Sequence, residues 1–368
     1  MLTVTIIVII GSLQTACANP CLEFSCDCPG TEVKCNQQNL VDIPDGIPNT
    51  TTQLDLKQNN IVTIAADAFI NLTSLELLDL GFNQISSLTA NVFNGLVSIK
   101  TMVLSNNQIS IIAADTFKCV LLKTLLLDRN KISTIASDTF KDLVSLDYMG
   151  LSGNQISIIS ADTFKDLVSL VVLQLSRNQI STIAKDAFKD LMSLTNLYLD
   201  NNKISTIATD TFKDLVSLTY ITLNDNAFTA IPANIFRKLT NITSLYLSFN
   251  LICCNMTDFF KWKASQTELN DLVGICIDFD SVTDITEFDI SNCTIPVDGH
   301  WGSWSTTSCS VTCGSGTKYR IRICNNPSPS DGGKHCVGED TELSQCRLRH
   351  CPASCKHSKA QTRNQIKG

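Results

Sequence analysis

A 24-residue unit recurs nine times between Thr51 and Ile252, with an asparagine in register in every copy: Asn59, Asn83, Asn107, Asn130, Asn154, Asn178, Asn202, Asn226 and Asn250. A period of this length means a solenoid, in which no unit can bury its apolar residues alone and each must stack on its neighbours. A phenylalanine keeps the same beat at Phe69, Phe93, Phe117, Phe140, Phe164, Phe188, Phe212 and Phe236. The slots between read L-x-x-L-x-L-x-x-N-x-I. Side chains such as Leu146, Met149 and Leu151 are therefore expected to point inward from a short parallel strand, while Ile156, Ile159 and Phe164 close the core from the return segment. The asparagine amide is expected to pair with backbone groups of adjacent coils that burial would otherwise leave unsatisfied, a structural task with no direct ligand contact.

This pattern resembles the extracellular leucine-rich repeat. The resemblance implies an α/β solenoid, a leucine-rich-repeat horseshoe with disulfide caps, whose function lies on the concave strand face. Stability is then roughly additive along the array and both ends need capping. Cys21, Cys26, Cys28 and Cys35 precede the repeats, and Cys253, Cys254, Cys276 and Cys293, with Trp262 between them, follow. Four cysteines allow three pairings, so spacing alone decides none. Resemblance to the family's caps implies Cys21 to Cys28 and Cys26 to Cys35 at the N-terminal end, and Cys253 to Cys276 and Cys254 to Cys293 at the other.

A third module begins near Pro296. Trp301 and Trp304, the run CSVTCGSG from Cys309 to Gly316, Arg320-Ile321-Arg322, and then Cys324, Cys336, Cys346 and Cys351 resemble a thrombospondin type-1 repeat. The resemblance implies a small disulfide-rich module with Cys309 joined to Cys346, Cys313 to Cys351 and Cys324 to Cys336. It also implies a cation–π ladder of Trp301 and Trp304 with Arg320 and Arg322, in place of a core too small for ~55 residues. Trp304 stands five residues before Cys309, where the family usually has tryptophans at three and six, which leaves one rung lost or looped out. On the same resemblance Thr312 carries O-linked fucose and Trp301 C-linked mannose.

The domain boundaries read as a signal peptide at 1–18, an N-terminal cap at 19–50, nine repeats at 51–252, a C-terminal cap at 253–295, the thrombospondin type-1 module at 296–352 and a basic tail at 353–368. Residues 1–18 hold no charge, run apolar through Ile6 to Ile10 and end in Ala16-Cys17-Ala18, the shape of a cleaved secretory signal. No later stretch reaches the ~20 apolar residues that span a bilayer. Seventeen cysteines suit an oxidising, extracellular setting. Sequons at Asn49, Asn71, Asn241, Asn255 and Asn292 suit the same route. The expected product is secreted and glycosylated, without cofactor, metal, membrane span or nucleic-acid partner.

Two cysteines are left over. Cys119 takes the aspartate slot of F-K-D-L in the one repeat that is a residue short, on the convex surface. Cys355 lies in the tail and is a candidate for a disulfide-linked oligomer, the alternative being a capped thiol. Residues 19–300 hold 18 basic and 31 acidic residues, a net of −13, and residues 301–368 hold 10 and 4, a net of +6. Lys318, Arg320, Arg322, Lys334, Arg347, Arg349, Lys356 and Lys359 form a basic set that either attracts heparan sulfate or a cell surface, or is a solvated face.

The repeats differ most where the strand residues face out. Convex positions are nearly copied, as FKDLVSL at Phe140, Phe164 and Phe212, whereas the strand-face series runs from Gln53, Asp55, Lys57 and Gln58 to Ser244, Tyr246, Ser248 and Phe249 without repetition. Drift of an idle surface would blur both faces alike, so this asymmetry points to a face diversified for contact. Nine strands at ~4.8 Å make an arc of roughly 40 Å, enough for an ordinary protein interface. The candidate ligand-binding residues are the aromatic anchors Tyr148, Tyr198, Tyr220, Tyr246 and Phe249, with Arg177, Asp200 and Asp225, beside Asp128 and Arg129, setting register. The bland alternative is that tyrosine suits exposed strands.

Near-identical framework, variable strand face and cysteine-rich caps resemble the variable lymphocyte receptors over about residues 20–295. That implies recognition of a microbial or antigenic protein or glycan. The rival reading is a matrix or guidance protein that binds receptors, growth factors or proteoglycans. Enzymatic motifs such as H-E-x-x-H, G-x-S-x-G and the P-loop do not occur, and all four histidines lie in the last 69 residues. The acidic run Asp278, Asp280, Asp284, Glu287 and Asp289 lacks calcium-loop spacing and reads as a solvated cap loop.

Overall fold

The computed structural model describes residues 21, 25–118, 121–231, 234–247, 251–278, 281–293, 297–330 and 333–350, without the side chains of Asn292 and Thr306. The signal sequence, Cys119, Phe249, Cys351, Cys355 and the basic tail lie outside the described residues. The chain divides into two units, Met1–Ile290 and Ser291–Gly368.

In the first unit, eleven short parallel strands stack in chain order. They are Glu32–Lys34, Gln53–Asp55, Leu77–Asp79, Thr101–Val103, Thr124–Leu126, Tyr148–Gly150, Val172–Gln174, Asn196–Tyr198, Tyr220–Thr222, Ser244–Tyr246 and Asp271–Val273. The register advances by one coil per strand, so that Val172, Asn196, Tyr220 and Ser244 share one row and Gln174, Tyr198, Thr222 and Tyr246 another. The middle residue of every strand but the last, such as Leu125, Met149, Leu173 and Leu197, is buried, and Leu272 of the last strand is half-buried. The coil that is one residue short keeps its strands in register, Thr101 opposite Thr124, so the deletion is absorbed in the return segment.

Two ladders tie the coils together. Asn154 accepts the Ile132 N–H at 3.0 Å and donates to the carbonyls of Leu127 and Leu151, both at 3.0 Å, and the other described asparagines repeat this pattern. Each amide thus satisfies backbone groups of two coils where water cannot reach. Phenylalanines stack behind them, with ring centroids 6.0 Å apart for Phe69 and Phe93 and 5.9 Å for Phe93 and Phe117. The helix Thr257–Ala264 ends this spine, since Trp262 lies 5.2 Å and Phe259 6.2 Å from Phe236.

Disulfides join Cys21 to Cys28, Cys26 to Cys35 and Cys253 to Cys276, and Cys254 and Cys293 are disulfide-bonded as well. The acidic run of the C-terminal cap is not uniformly solvated. Asp278 is buried and accepts the backbone N–H groups of Cys253 at 2.9 Å and Cys254 at 3.1 Å, pinning the turn after the last repeat. Its proximity to Cys253 and Cys276 gives a metal-like cluster, but those sulfurs are bonded to each other and the carboxylate is already engaged.

The second unit holds an antiparallel sheet of Ser305–Thr306, Ser315–Ile321 and Thr341–Arg347, with disulfides Cys309–Cys346 and Cys324–Cys336. Cys313 is also disulfide-bonded. Among the described residues no helix is long and apolar enough to cross a membrane.

Candidate functional site

The exposed strand-face residues fall into four columns, and only two of them belong to the strands. The third and fourth columns form the turn into the asparagine. The fourth, Gln58, Phe82, Asn106, Arg129, Gly153, Arg177, Asn201 and Asp225, sits in the left-handed region with φ between 53° and 69°. Arg177 and Asp225, grouped from sequence with the strand positions, are thus exposed turn residues on the edge of the face. Left-handed backbone disfavours branched side chains and favours Gly, Asn and Asp.

The same geometry changes the meaning of the copied convex face. In F-K-D-L the phenylalanine and leucine are buried, and Asp142, Asp166 and Asp190 take φ of 64° to 73° where an earlier coil has Gly95 at 95°. These residues repeat because packing and backbone favour them, whereas the copied Lys141, Lys165, Val144 and Val168 are exposed and without positive φ. Part of the copying on the convex side is thus structural, and the contrast between faces rests on its exposed positions alone.

The stronger observation is the aromatic cluster. Tyr198 and Tyr220 lie 5.2 Å apart by ring centroid and Tyr220 and Tyr246 5.5 Å, each pair tilted by 43°. They zigzag over three coils, because Tyr220 belongs to the first strand column and Tyr198 and Tyr246 to the second. The Tyr246 hydroxyl donates to the Asp271 carboxylate on the next strand, and this bond pushes its pKa up to about 12. Tyr148 stands apart in the first column two coils earlier, its hydroxyl pKa raised by burial. At the other end Phe82 is exposed, with the Lys57 ammonium 5.5 Å from its ring.

Beside Tyr198 the face carries a depression of about 470 Å³, lined by Asp128, Arg129, Ser152, Gly153, Gln174, Ser176, Arg177, Tyr198 and Asp200. Two glycines of one coil make it. A Cβ at Gly150 would collide with the Asp128 carboxylate, and one at Gly153 would sit 3.2 Å from Arg129 Cγ, so both side chains of the preceding coil lean into the gap. Asp128 accepts the Ser152 N–H at 2.8 Å, yet burial dominates and raises its pKa. For Asp200 burial pushes upward, but hydrogen bonds from Ser176, Thr222 and Asn201 outweigh it and lower the pKa. Of the sequence candidates the depression gathers Asp128, Arg129, Arg177, Tyr198 and Asp200. Asp225 lies outside it, and the two glycines were missed because an absent side chain leaves no residue type to flag.

In the second unit the Arg322 guanidinium lies 4.3 Å from the Trp301 ring and 4.5 Å from Trp304, and Arg320 lies 5.2 Å from Trp304. Where a further rung would stand, Thr307 instead donates to the Tyr319 carbonyl at 3.0 Å and accepts its N–H at 2.9 Å. Arg320 also pairs with Glu342, so of the described basic set Lys318, Lys334, Arg347 and Arg349 stay outside the ladder. The sequon residues Asn49, Asn71, Asn241 and Asn255 are exposed, as is Thr312, whereas Trp301 is half-buried.

The leucine rich repeat model matches residues 49–109, 98–156, 120–180, 155–204 and 192–252, together more than half of the chain. The chain belongs to the leucine-rich repeat family. In this leucine-rich repeat protein the thrombospondin type 1 domain model matches residues 299–351. Over 58 residues it is 52% identical to Hemicentin-1 of Mus musculus, covering 16% of this chain and 1% of that protein. Over 58 residues it is 48% identical to Thrombospondin-1 of Xenopus laevis, covering 16% and 5%. Over 60 residues it is 50% identical to Semaphorin-5A of Homo sapiens, covering 16% and 6%. The leucine-rich repeat protein thus spans only a small fraction of these relatives. A chain from the octameric complex of Latrophilin 3 (Lec, Olf), Unc5D (Ig, Ig2, TSP1) and FLRT2 (LRR) is 22% identical, with a TM-score of 0.47 over 74% of this chain and 99% of its own. Repeats followed by a thrombospondin type 1 domain make this a protein built of binding modules.

Proposed function

We propose that this is a secreted recognition protein that binds a protein or glycan ligand on the strand face of its repeats. The observation that carries this is the placement of tyrosine. The chain has five tyrosines, and four of them, Tyr148, Tyr198, Tyr220 and Tyr246, lie on that face, three in mutual contact. Preformed aromatics lose little entropy on binding and are typical anchors. The disulfides of both units fit an oxidising compartment. A microbial or antigenic ligand is the specific form of this reading that resemblance to the variable lymphocyte receptors favours.

The test is binding of the full chain to a panel of extracellular ectodomains and glycans, comparing the wild type with a Tyr198→Ala, Tyr220→Ala, Tyr246→Ala triple variant. Loss of binding with native circular dichroism supports the reading, and unchanged binding removes the tyrosine face as the site.

A matrix or guidance role is the second reading, favoured by the 47–52% identity of a short segment to proteins such as Hemicentin-1, Thrombospondin-1 and Semaphorin-5A. It assigns attachment to heparan sulfate or a cell surface to the second unit, through Lys318, Lys334, Arg347 and Arg349. Heparin retention that falls steeply with salt and is lost in an Arg347→Gln, Arg349→Gln variant supports it. Salt-insensitive retention counts against it.

A further inference from the structure

We infer that Arg129 and Arg177 form a two-armed clamp, held open across Gly153, that takes an acidic side chain of a protein partner next to an apolar one seated on the tyrosines. The inference rests on the strand-face reading and names the chemistry of its ligand.

Arg129, Gly153 and Arg177 occupy one column, the left-handed turn slot of three consecutive coils, with φ of 53°, 69° and 54°. At roughly 4.8 Å per coil the two arginine backbones stand about 10 Å apart. The position between them has no side chain, and the Arg129 stem crosses it. Neither guanidinium makes an ion pair among the described residues.

The nearby carboxylates make no ion pair with the clamp, although Arg129 acts on Asp128 through space, and both carboxylates hold hydrogen bonds of the face itself. Asp128 holds the Ser152 N–H, and Asp200 holds Ser176, Thr222 and Asn201. Guanidinium forks bind carboxylates with two parallel hydrogen bonds, and a pair of forks selects a planar anion.

Two observations favour a protein carboxylate over a polyanionic glycan. Asp55 and Asp79 on the earlier coils and Asp225 and Asp271 on the later ones make the flanks of the depression acidic, so a ligand with repeated negative charge is repelled on either side of the clamp. Tyr198 is shared between the depression and the aromatic cluster, so a ligand in the clamp meets an aromatic surface at once. A glutamate or aspartate within a residue or two of a large apolar side chain satisfies both.

The experiment is selection of random peptides displayed on phage against the immobilised full-length protein, with a glycan array of terminal uronic and neuraminic acids in parallel. The expected result is enrichment of peptides that carry Asp or Glu close to an apolar residue. Their binding should weaken roughly tenfold or more in an Arg129→Gln, Arg177→Gln variant, the effect of losing charge-assisted bonds. It should be unchanged in a Lys141→Gln, Lys165→Gln variant on the convex side.

Peptides without acids, or binding indifferent to the arginine variant, overturn the clamp. If those same peptides lose binding in the triple tyrosine variant, the strand-face reading survives the failure of the clamp. If they are indifferent to both variants, the face itself is wrong. Binding of acidic glycans that depends on the arginines, with no peptide enriched, overturns the protein source.

Discussion

The Asp128 carboxylate lies over Gly150, in space that a Cβ at position 150 would occupy, and from there accepts the Ser152 N–H. Gly150 is a strand residue without positive φ, so backbone freedom does not require glycine there. The neighbour does. Gly150→Ala should displace the carboxylate, leave a half-buried N–H short of its acceptor and destabilise the array by roughly 1–2 kcal/mol. In an Asp128→Ala background the same change should be neutral or stabilising, because alanine restricts the unfolded chain more than glycine. A double-mutant cycle in urea measures the difference, and equal effects in both backgrounds would refute the contact.

Asp128 and Asp200 face the same depression with opposite electrostatics. Burial raises the Asp128 pKa, so folding favours its protonated form, and its contribution is fully present below the ordinary value of 3.8 and lost as pH rises through the folded pKa. Hydrogen bonds lower the Asp200 pKa, so its contribution is present above 3.8 and lost as pH falls through the folded value. Asp200→Asn should therefore cost about 1 kcal/mol near neutral pH, the scale of a partly exposed charged hydrogen bond, and nothing in strong acid. Asp128→Asn should gain stability relative to wild type as pH rises through the mildly acidic range. Thermal melts of both variants across pH decide this, and parallel profiles would contradict it.

Tyr246 should titrate well above the ordinary tyrosine range. Its hydrogen bond to Asp271 pushes the pKa to about 12 from an ordinary 10.0. The stability this bond lends is complete below pH 10 and fades as pH rises through the folded pKa. Tyrosinate absorbance should show a group ionising near pH 12 that moves toward the ordinary range in Asp271→Asn. An unchanged titration curve in that variant means the bond does not hold in solution.

These cases show what the sequence could and could not reveal. The asparagine and phenylalanine ladders were legible because one physical need recurs at a fixed period, so each of Asn59 to Asn226 repeats the same statement. The tyrosines were legible as candidates because their column follows from that register. The depression was not, since it arises where Gly150 and Gly153 remove side chains and neighbours from another coil lean in. Nor could sequence separate copying by packing from copying by drift, because the left-handed backbone at Asp142, Asp166 and Asp190 appears only in the dihedral angles. Asp278 looked like one more solvated acid until the fold placed two orphan N–H groups against it.

In the second unit the two ladder arginines should differ in weight. Arg322 is held between both tryptophan rings and donates from Nε and a terminal nitrogen to the Glu339 carbonyl at 2.9 and 2.8 Å. Arg320 meets one ring at the longer distance of 5.2 Å, and its ion pair with Glu342 is partly exposed. A cation–π contact contributes roughly 0.5–2 kcal/mol, whereas an exposed ion pair contributes about 0–1 kcal/mol. Arg322→Gln should thus destabilise this unit more than Arg320→Gln, and it should alter fluorescence from both Trp301 and Trp304, because removing the middle plane lets both rings relax. Trp262 belongs to the other unit, so a Trp262→Phe background isolates the signal. Equal losses from the two arginine variants would mean that the Glu342 pair, rather than the stacked planes, sets the stability of the module.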